Sequence, residues 1–364
     1  MHSLAFAAFA AVSFSLGCTS EKIVYKSGTD FAAPPAASKS FVGYYDEANK
    51  ATVCGSCHAE KQVAWKTTKH ASAWADLSAN TSKAGYCEAC HTVNNLGNAA
   101  TDTASGWRST KDARFHDVQC ESCHGAGLTH ASAPNATNRP LASIAADTAA
   151  TNGCGECHSG THNPFAREWK LSGHSQTWEA SHNSTDPYCQ GCHTGQGALL
   201  TWQKGGNYVE KNSTAMLPAT CAVCHDPHGN TGVDKQLRFP LNAANLENNL
   251  CIKCHQRRGT SADAVSMGRN SVHSPEGPTL LGTAGWFPPG MSPADSLVAT
   301  HGSSTKNPKL CATCHVQAYQ GTDPVTKQAV FSTGHRFLAT PCVGANGLPL
   351  DSQTGCVAAN MTFR

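Results

Sequence analysis

The sequence contains one short pattern eight times: two cysteines separated by two residues, with a histidine directly after the second cysteine. Eight copies with two cysteines each use 16 of the 19 cysteines. The first seven copies begin only 30 to 35 residues apart, and the eighth begins 60 residues after the seventh. The copies are Cys54, Cys57 and His58; Cys87, Cys90 and His91; Cys120, Cys123 and His124; Cys154, Cys157 and His158; Cys189, Cys192 and His193; Cys221, Cys224 and His225; Cys251, Cys254 and His255; and Cys311, Cys314 and His315.

This pattern is the one that covalent attachment of a c-type haem requires. The two thiols add to the haem vinyl groups, and the histidine beneath them becomes the proximal iron ligand. Zinc sites and disulfides are the alternative interpretation, but zinc sites use paired CxxC units or more widely spaced histidines. We therefore predict eight c-type haems. The chain resembles the multihaem c-type cytochromes from about residue 50 to residue 335.

The composition favours a fold with little conventional core. The chain has 32 glycines, 18 prolines and only 7% aromatic residues, so the large apolar porphyrins have to supply the missing buried surface. We expect mostly coil with short α-helices wrapped around a closely packed haem chain, and little or no β-sheet. The formal net charge of +2 gives no basic bias toward nucleic acid, which is therefore not an expected partner.

The N-terminus indicates export. Residues 4–17 form an apolar run that is too short to span a bilayer and has the length of a signal-peptide core. No lysine or arginine precedes this run, so we expect the true start to lie upstream. We assign residues 1–18 to a signal peptide whose lipobox makes Cys18 the lipidation candidate, although Ser15 replaces the usual leucine. The alternative is ordinary cleavage nearby. We expect residues 19–45 to form a flexible tether.

An internal repeat organises the rest of the chain. The pattern W-K-x-x-x-H-x-x-x-W occurs at residues 65–74 and again at residues 169–178, each time between two CxxCH motifs, and a third motif follows. We therefore divide the chain into module one (46–150, haems one to three), module two (151–250, haems four to six) and a C-terminal part (251–364, haems seven and eight). The repeat, together with CESCHGAGLTH at residues 120–130, resembles the cytochrome c554-like proteins.

The repeated pattern predicts a role for its histidines and tryptophans. On a helix, His70 and Trp74 share a face, so a histidine there can reach an iron while the indoles pack on porphyrin. The alternative for the tryptophans is ordinary core packing.

The sixth iron ligand separates an electron carrier from an enzyme. The candidates for this distal position are His70, His116, His130, His162, His174, His228, His273, His301 and His335. His182 has no recognisable context and is the expected spare. The stretch Cys221–Gly229 resembles the CxxCHxPHG element of decahaem and related electron-transfer cytochromes, in which the second histidine ligates a nearby haem. No methionine has a ligand context, so we expect low-potential haems with two histidine ligands each.

These features predict an electron carrier with no catalytic residues. We expect it to be an outer-membrane lipoprotein or extracellular, or otherwise periplasmic, with partner cytochromes or a porin-cytochrome complex and an external acceptor such as metal oxide or an electrode. One alternative is an octahaem reductase or oxidoreductase of small nitrogen or sulfur compounds, although such reductases typically carry a lysine in place of one proximal histidine. Another is a filament of copies. Cys342 and Cys356 are a disulfide candidate in an oxidising compartment.

Overall fold

A computed structural model describes most of the chain beyond residue 40. The described residues are 41–100, 106–142, 153–160, 162–204, 215–229, 231–243, 245–256, 273–283, 289–291 and 300–361. The predicted signal peptide, the lipidation candidate Cys18 and residues 19–40 of the predicted tether lie outside them.

Short helices joined by coil make up the described part of the chain. Its α-helices are four to eight residues long. They are Ala59–Lys66, Ala73–Ala79, Trp107–Thr110, Cys120–His124, Leu128–Ser132, Phe165–Lys170, Thr177–Ala180, Pro187–His193, Gly195–Thr201, Cys221–Cys224, Glu276–Leu280 and Cys311–His315. The 3-10 turns are Cys54–Ser56, Lys69–Ser72, Gly85–Cys90, Ala113–Phe115, Cys154–Glu156, Gly173–Gln176, Asp234–Gln236, Leu246–Asn248, Thr300–Gly302 and Ala358–Asn360.

The β-structure consists of two small antiparallel sheets. One pairs Tyr44–Asp46 with Ala51–Thr52, and the other pairs Tyr319–Thr322 with Ala329–Ser332 in an unbroken register. The prediction of short helices in coil with little sheet is therefore confirmed. Within the described residues, no helix has both the length and the apolar character needed to cross a bilayer.

The W-K-x-x-x-H-x-x-x-W pattern does not lie on one continuous helix, so that expectation was wrong. The helix Ala59–Lys66 ends because the hydroxyls of Thr67 and Thr68 donate to the carbonyl oxygens of Ala64 and Trp65 at 2.7 and 2.8 Å, in competition with the helical bonds. The 3-10 turn Lys69–Ser72 then carries His70, and a new helix begins at Ala73.

The second copy of the pattern folds in the same order. The helix Phe165–Lys170 is followed by the turn Gly173–Gln176, which carries His174, and by the helix Thr177–Ala180. Here the Ser172 hydroxyl donates to the Trp169 carbonyl oxygen at 2.7 Å. The two copies thus present their histidines on equivalent turns.

The apolar core is divided into small clusters. The largest in the described residues joins Phe41, Val93, Trp107 and Phe115. Phe41 and Val42 are fully buried, and Tyr44 is 2% exposed. Residues 41–44, which belong to the predicted tether, are therefore packed against the body of the protein, whereas Tyr45 is exposed.

Near the C-terminus, Cys342 and Cys356 form a disulfide with their Cα atoms 5.8 Å apart. An isolated antiparallel bridge pairs Cys342 with Met361, and another pairs Val343 with Pro349. The disulfide therefore closes a compact terminal loop.

One tryptophan of each repeat fixes the backbone just before the third CxxCH motif of its own module, which is motif three in module one and motif six in module two. The Trp65 indole N–H donates to the carbonyl oxygen of Val118 at 2.9 Å, and the Trp169 indole N–H donates to that of Ala219 at 2.8 Å. Each acceptor lies two residues before the first cysteine of its motif. These bonds give both tryptophans a structural role, and both side chains also line a central cavity.

We predict that Trp65→Phe destabilises the protein by about 1–2 kcal/mol, because the carbonyl group of Val118 loses its donor in a partly buried position. Unfolding by guanidinium chloride measures this change. The matched control is Trp202→Phe, since the Trp202 ring packs edge-on against Phe239. Equal unfolding midpoints for the two variants would contradict a specific role for the Trp65 hydrogen bond.

Candidate haem-binding cavity

One continuous cavity of about 3160 Å³ runs through the described part of the protein. Residues of all eight CxxCH motifs line it, including the histidine of every motif. The helices Cys120–His124, Cys221–Cys224 and Cys311–His315 hold three of these motifs, and the 3-10 turns Cys54–Ser56 and Cys154–Glu156 begin at two others. The fold therefore directs all eight motifs toward one shared space.

Most of the motif histidines are oriented by backbone carbonyl oxygens. A carbonyl oxygen accepts only, so Nδ1 must be the donor in each bond, and this leaves the Nε2 lone pair for a metal ion. The two repeats match here: His91 Nδ1 donates to Ala73 and His193 Nδ1 to Thr177, both at 2.8 Å. The other bonds are His124 to Pro140 at 3.0 Å, His225 to Lys235 at 2.8 Å and His315 to Phe337 at 3.0 Å.

Burial favours the neutral form of His70 and His174, which is the form that binds metal. It lowers the pKa of His70 and of His174 to about 4 in each case, and the nearby imidazoles of His158 and His255 lower these values further. Burial also lowers the pKa values of His124 and His158.

Six of the motif histidines face a second imidazole across the cavity. Two imidazoles that bind one metal ion from opposite sides, with metal–nitrogen distances of about 2 Å as in zinc sites, have ring centres roughly 6 Å apart. The six observed pairs span 6.0–6.5 Å and therefore fit a haem iron between them. They are His58 with His130, His124 with His228, His158 with His70, His193 with His273, His225 with His335, and His255 with His174.

The repeated histidines reach forward to the next part of the chain. His70 of the first repeat faces His158 of the fourth motif at 6.1 Å. His174 of the second repeat faces His255 of the seventh motif at 6.3 Å. The pairs therefore connect segments that are far apart in sequence.

His228, from the segment that resembles the CxxCHxPHG element, faces His124 at 6.2 Å. Asp226 lies 3.6 Å from His228 Nδ1 and forms an ion pair with Arg238 at 3.0 Å. A glycine is needed next, because a Cβ atom on Gly229, which has a φ of +79°, would lie 2.9 Å from the carbonyl oxygen of Ala64. This close approach seats the His228 loop against the helix Ala59–Lys66.

A buried carboxylate positions His335. Glu168 is 4% exposed and accepts hydrogen bonds from the backbone N–H groups of Thr333 and His335 at 2.8 and 2.9 Å. The Thr333 hydroxyl also bonds Glu168 at 2.7 Å and lies 3.0 Å from His335 Nδ1. Sequence reasoning missed Glu168, because nothing near it in sequence marks its partners.

Three of the nine predicted distal histidines do not face a motif histidine in the described structure. His116 stacks on Trp74 with ring centres 4.1 Å apart, and its Nδ1 lies 3.0 Å from Glu47. His162 and His301 are exposed, as is the predicted spare His182. Of the motif histidines, His91 and His315 face no second imidazole among the described residues, so the expectation of eight paired sites holds for six.

Contacts between cysteines of different motifs give the spatial order of the sites. The thiols of Cys54 and Cys120 lie close enough to interact, as do those of Cys154 and Cys221, and of Cys251 and Cys311. A fourth contact joins Cys90 and Cys157. Electrostatic interactions also link Cys123 with Cys154, and Cys224 with Cys251.

Motifs one, three, four, six, seven and eight therefore follow one another through the cavity, with motif two beside motif four. Each motif of this series has a thiol close to a thiol of the next motif.

Two family models match parts of the chain that hold CxxCH motifs. The family model described as cytochrome c554 and c-prime matches residues 53–125, and the doubled CXXCH motif model matches residues 216–260. A solved structure, that of the outer cell wall cytochrome OcwA, is similar with 19% identity and a TM-score of 0.44, over 73% of this chain and 58% of that one. The chain thus spans less than two thirds of the length of OcwA. No curated protein matches.

The two family models and the cavity support a multihaem c-type cytochrome. Proteins of this class bind haem through CXXCH motifs and act in electron transfer. The family matches lie on the first three motifs and on motifs six and seven.

Proposed function

We propose that the chain binds eight c-type haems, one at each CxxCH motif, and carries electrons along them. The observation that carries this proposal is the set of six imidazole pairs within one cavity that all eight motifs line. Haem iron bound by two histidines exchanges single electrons with little change in its ligands.

The residues around the cavity suit this task. Backbone carbonyl oxygens fix the tautomer of five motif histidines, and burial favours the neutral form of His70 and His174, which face two other motif histidines. An imidazole on each side also keeps substrate away from the iron. The paired sites therefore favour electron transfer over chemistry on a bound molecule, and histidine on both sides favours low potentials.

The thiol contacts support an order of transfer that differs from the order of the sequence. We propose that electrons pass through sites one, three, four, six, seven and eight, with site two joining at site four, so that this order covers seven of the eight sites. Sites one and eight are then the ends at which partners exchange electrons with the protein.

The proposed location rests on the N-terminal sequence. A short apolar run followed by Cys18 supports export. Lipidation of Cys18 would anchor the protein at the outer membrane, and without lipidation the protein would be extracellular or periplasmic. The partners we propose are other cytochromes or a porin-cytochrome complex on one side and an external acceptor such as metal oxide or an electrode on the other. Assembly of copies into a filament is an alternative use of the same chain of sites.

An oxidoreductase of small nitrogen or sulfur compounds is the second candidate. It needs an iron that can bind its substrate directly. His91 and His315 are the two motif histidines that face no second imidazole among the described residues. The second candidate therefore places its chemistry at the haem site of one of these two histidines.

A reductive titration tests the proposed function. We predict that the holoprotein carries eight haems by mass and takes up eight electrons per chain, one for each motif. The reduced protein should then be reoxidised by ferric oxide particles. Catalytic turnover of nitrite, hydroxylamine or tetrathionate, with no transfer to the particles, would favour the second candidate instead.

A further inference from the structure

The cysteine contacts divide the motifs into three equivalent sets. Motifs one, four and seven are leading motifs, and motifs three, six and eight are closing motifs. In each set the first cysteine of the leading motif contacts the first cysteine of the closing motif: Cys54 with Cys120, Cys154 with Cys221, and Cys251 with Cys311. The C-terminal part is therefore a third module that lacks the middle motif.

The imidazole pairs follow a rule in these modules. The histidine of a closing motif faces a histidine from the module that comes next: His124 of module one faces His228, and His225 of module two faces His335. Conversely, the leading motifs of the second and third modules face His70 and His174, which the preceding module supplies.

The closing motif of the third module departs from this rule, because its histidine, His315, faces no second imidazole among the described residues. Its helix Cys311–His315 orients His315 through the bond from Nδ1 to the Phe337 carbonyl oxygen, and His315 lines the cavity. Every histidine of the chain except His2 lies in the described residues. Among these, His116, His162, His182 and His301 have no partner across the cavity, and none of the four lines it.

We propose that the haem site at His315 is a binding site for small neutral or anionic ligands of haem iron, of the size of carbon monoxide or cyanide. This inference rests on the proposed attachment of a haem at each motif. Because site eight ends the series of contacts, an acceptor bound there would receive electrons directly from the last haem.

Carbon monoxide binding to the reduced holoprotein tests the inference. The double variant C311A/C314A removes haem attachment at site eight. The matched control C189A/C192A removes it at site five, whose His193 already faces His273. We expect C311A/C314A to bind one carbon monoxide fewer per chain than the unaltered protein, and the control to bind the same number. Equal binding by the unaltered protein and C311A/C314A would overturn the inference.

Three further measurements keep the test decisive. Haem content by mass separates the two proposals. Fewer than eight haems in the unaltered protein refutes the proposed function. Eight haems in the unaltered protein, together with equal carbon monoxide binding by C311A/C314A, refutes only the inference. If C311A/C314A does not assemble, His315→Met keeps both attachment cysteines and should shift the absorption of one carbon monoxide complex; an unchanged spectrum overturns the inference. Loss of binding as protein concentration rises would overturn it in favour of a histidine from a second copy.

Discussion

Replacing His70 with alanine is expected to convert one low-spin haem to high spin while the haem content stays the same. The affected site should be the fourth, because His70 faces His158 at 6.1 Å, although His70 lies between the first and second motifs in sequence. An iron that keeps only one imidazole has a weaker ligand field and becomes high spin. Low-temperature EPR of the oxidised protein measures the change.

A second variant assigns the site. In the background C154A/C157A, which removes attachment at the fourth motif, His70→Ala should add no further high-spin iron. His182→Ala is the control, because His182 is exposed and faces no motif histidine in the described structure. A His70→Ala effect that persists in the C154A/C157A background would contradict the pairing.

Glu121→Gln is expected to destabilise the protein by about 3 kcal/mol, which is the upper end of the range for hydrogen bonds to a charged group. Glu121 lies inside the third motif and is 2% exposed. Its oxygens accept from the backbone N–H groups of Val42, Gly43 and Gly127 at 2.8–3.0 Å. A glutamine turns an NH₂ group toward some of these donors. Val42 and Gly43, which lead into the strand Tyr44–Asp46, then lose their attachment to the third motif.

Unfolding of the oxidised holoprotein in guanidinium chloride measures this loss. Burial raises the pKa of Glu121 to about 7, so the comparison is made at about pH 8, where the carboxylate is mostly ionised. Glu179→Gln is the control, because Glu179 is exposed. Equal stabilities of the two variants would show that Glu121 does not hold the strand.

The local features of the fold could be predicted from the sequence. The CxxCH spacing identifies the attachment residues, because the thiols and the histidine of one motif must all reach one haem. The abundance of glycine and proline predicts short helices in coil. The repeat of W-K-x-x-x-H-x-x-x-W also predicts equivalent structures, and His70 and His174 do lie on equivalent turns.

The pairing of histidines could not be predicted, because it depends on tertiary contacts between distant segments. His70 and His158 are 88 residues apart in sequence, and no local pattern marks them as partners. His116 shows the converse error. Its position just before the third motif suggested a ligand, but its ring stacks on Trp74, its Nδ1 lies beside Glu47, and it does not line the cavity.

The tryptophans show how the same pattern supports two roles. Both the porphyrin-packing and the core-packing interpretations fit the sequence. In the structure, Trp65 and Trp169 donate hydrogen bonds to Val118 and Ala219 and also line the cavity, so the two roles are compatible. These acceptors carry no side-chain signal, since they bond through backbone carbonyl groups.

Low-temperature EPR of the oxidised holoprotein, with haem content measured by mass on the same sample, tests the central claim most directly. The account predicts eight haems per chain, with the six irons of the imidazole pairs in low-spin signals typical of two histidine ligands. Fewer than eight haems, or fewer than six low-spin irons, would contradict the chain of paired sites on which the proposed electron transfer depends.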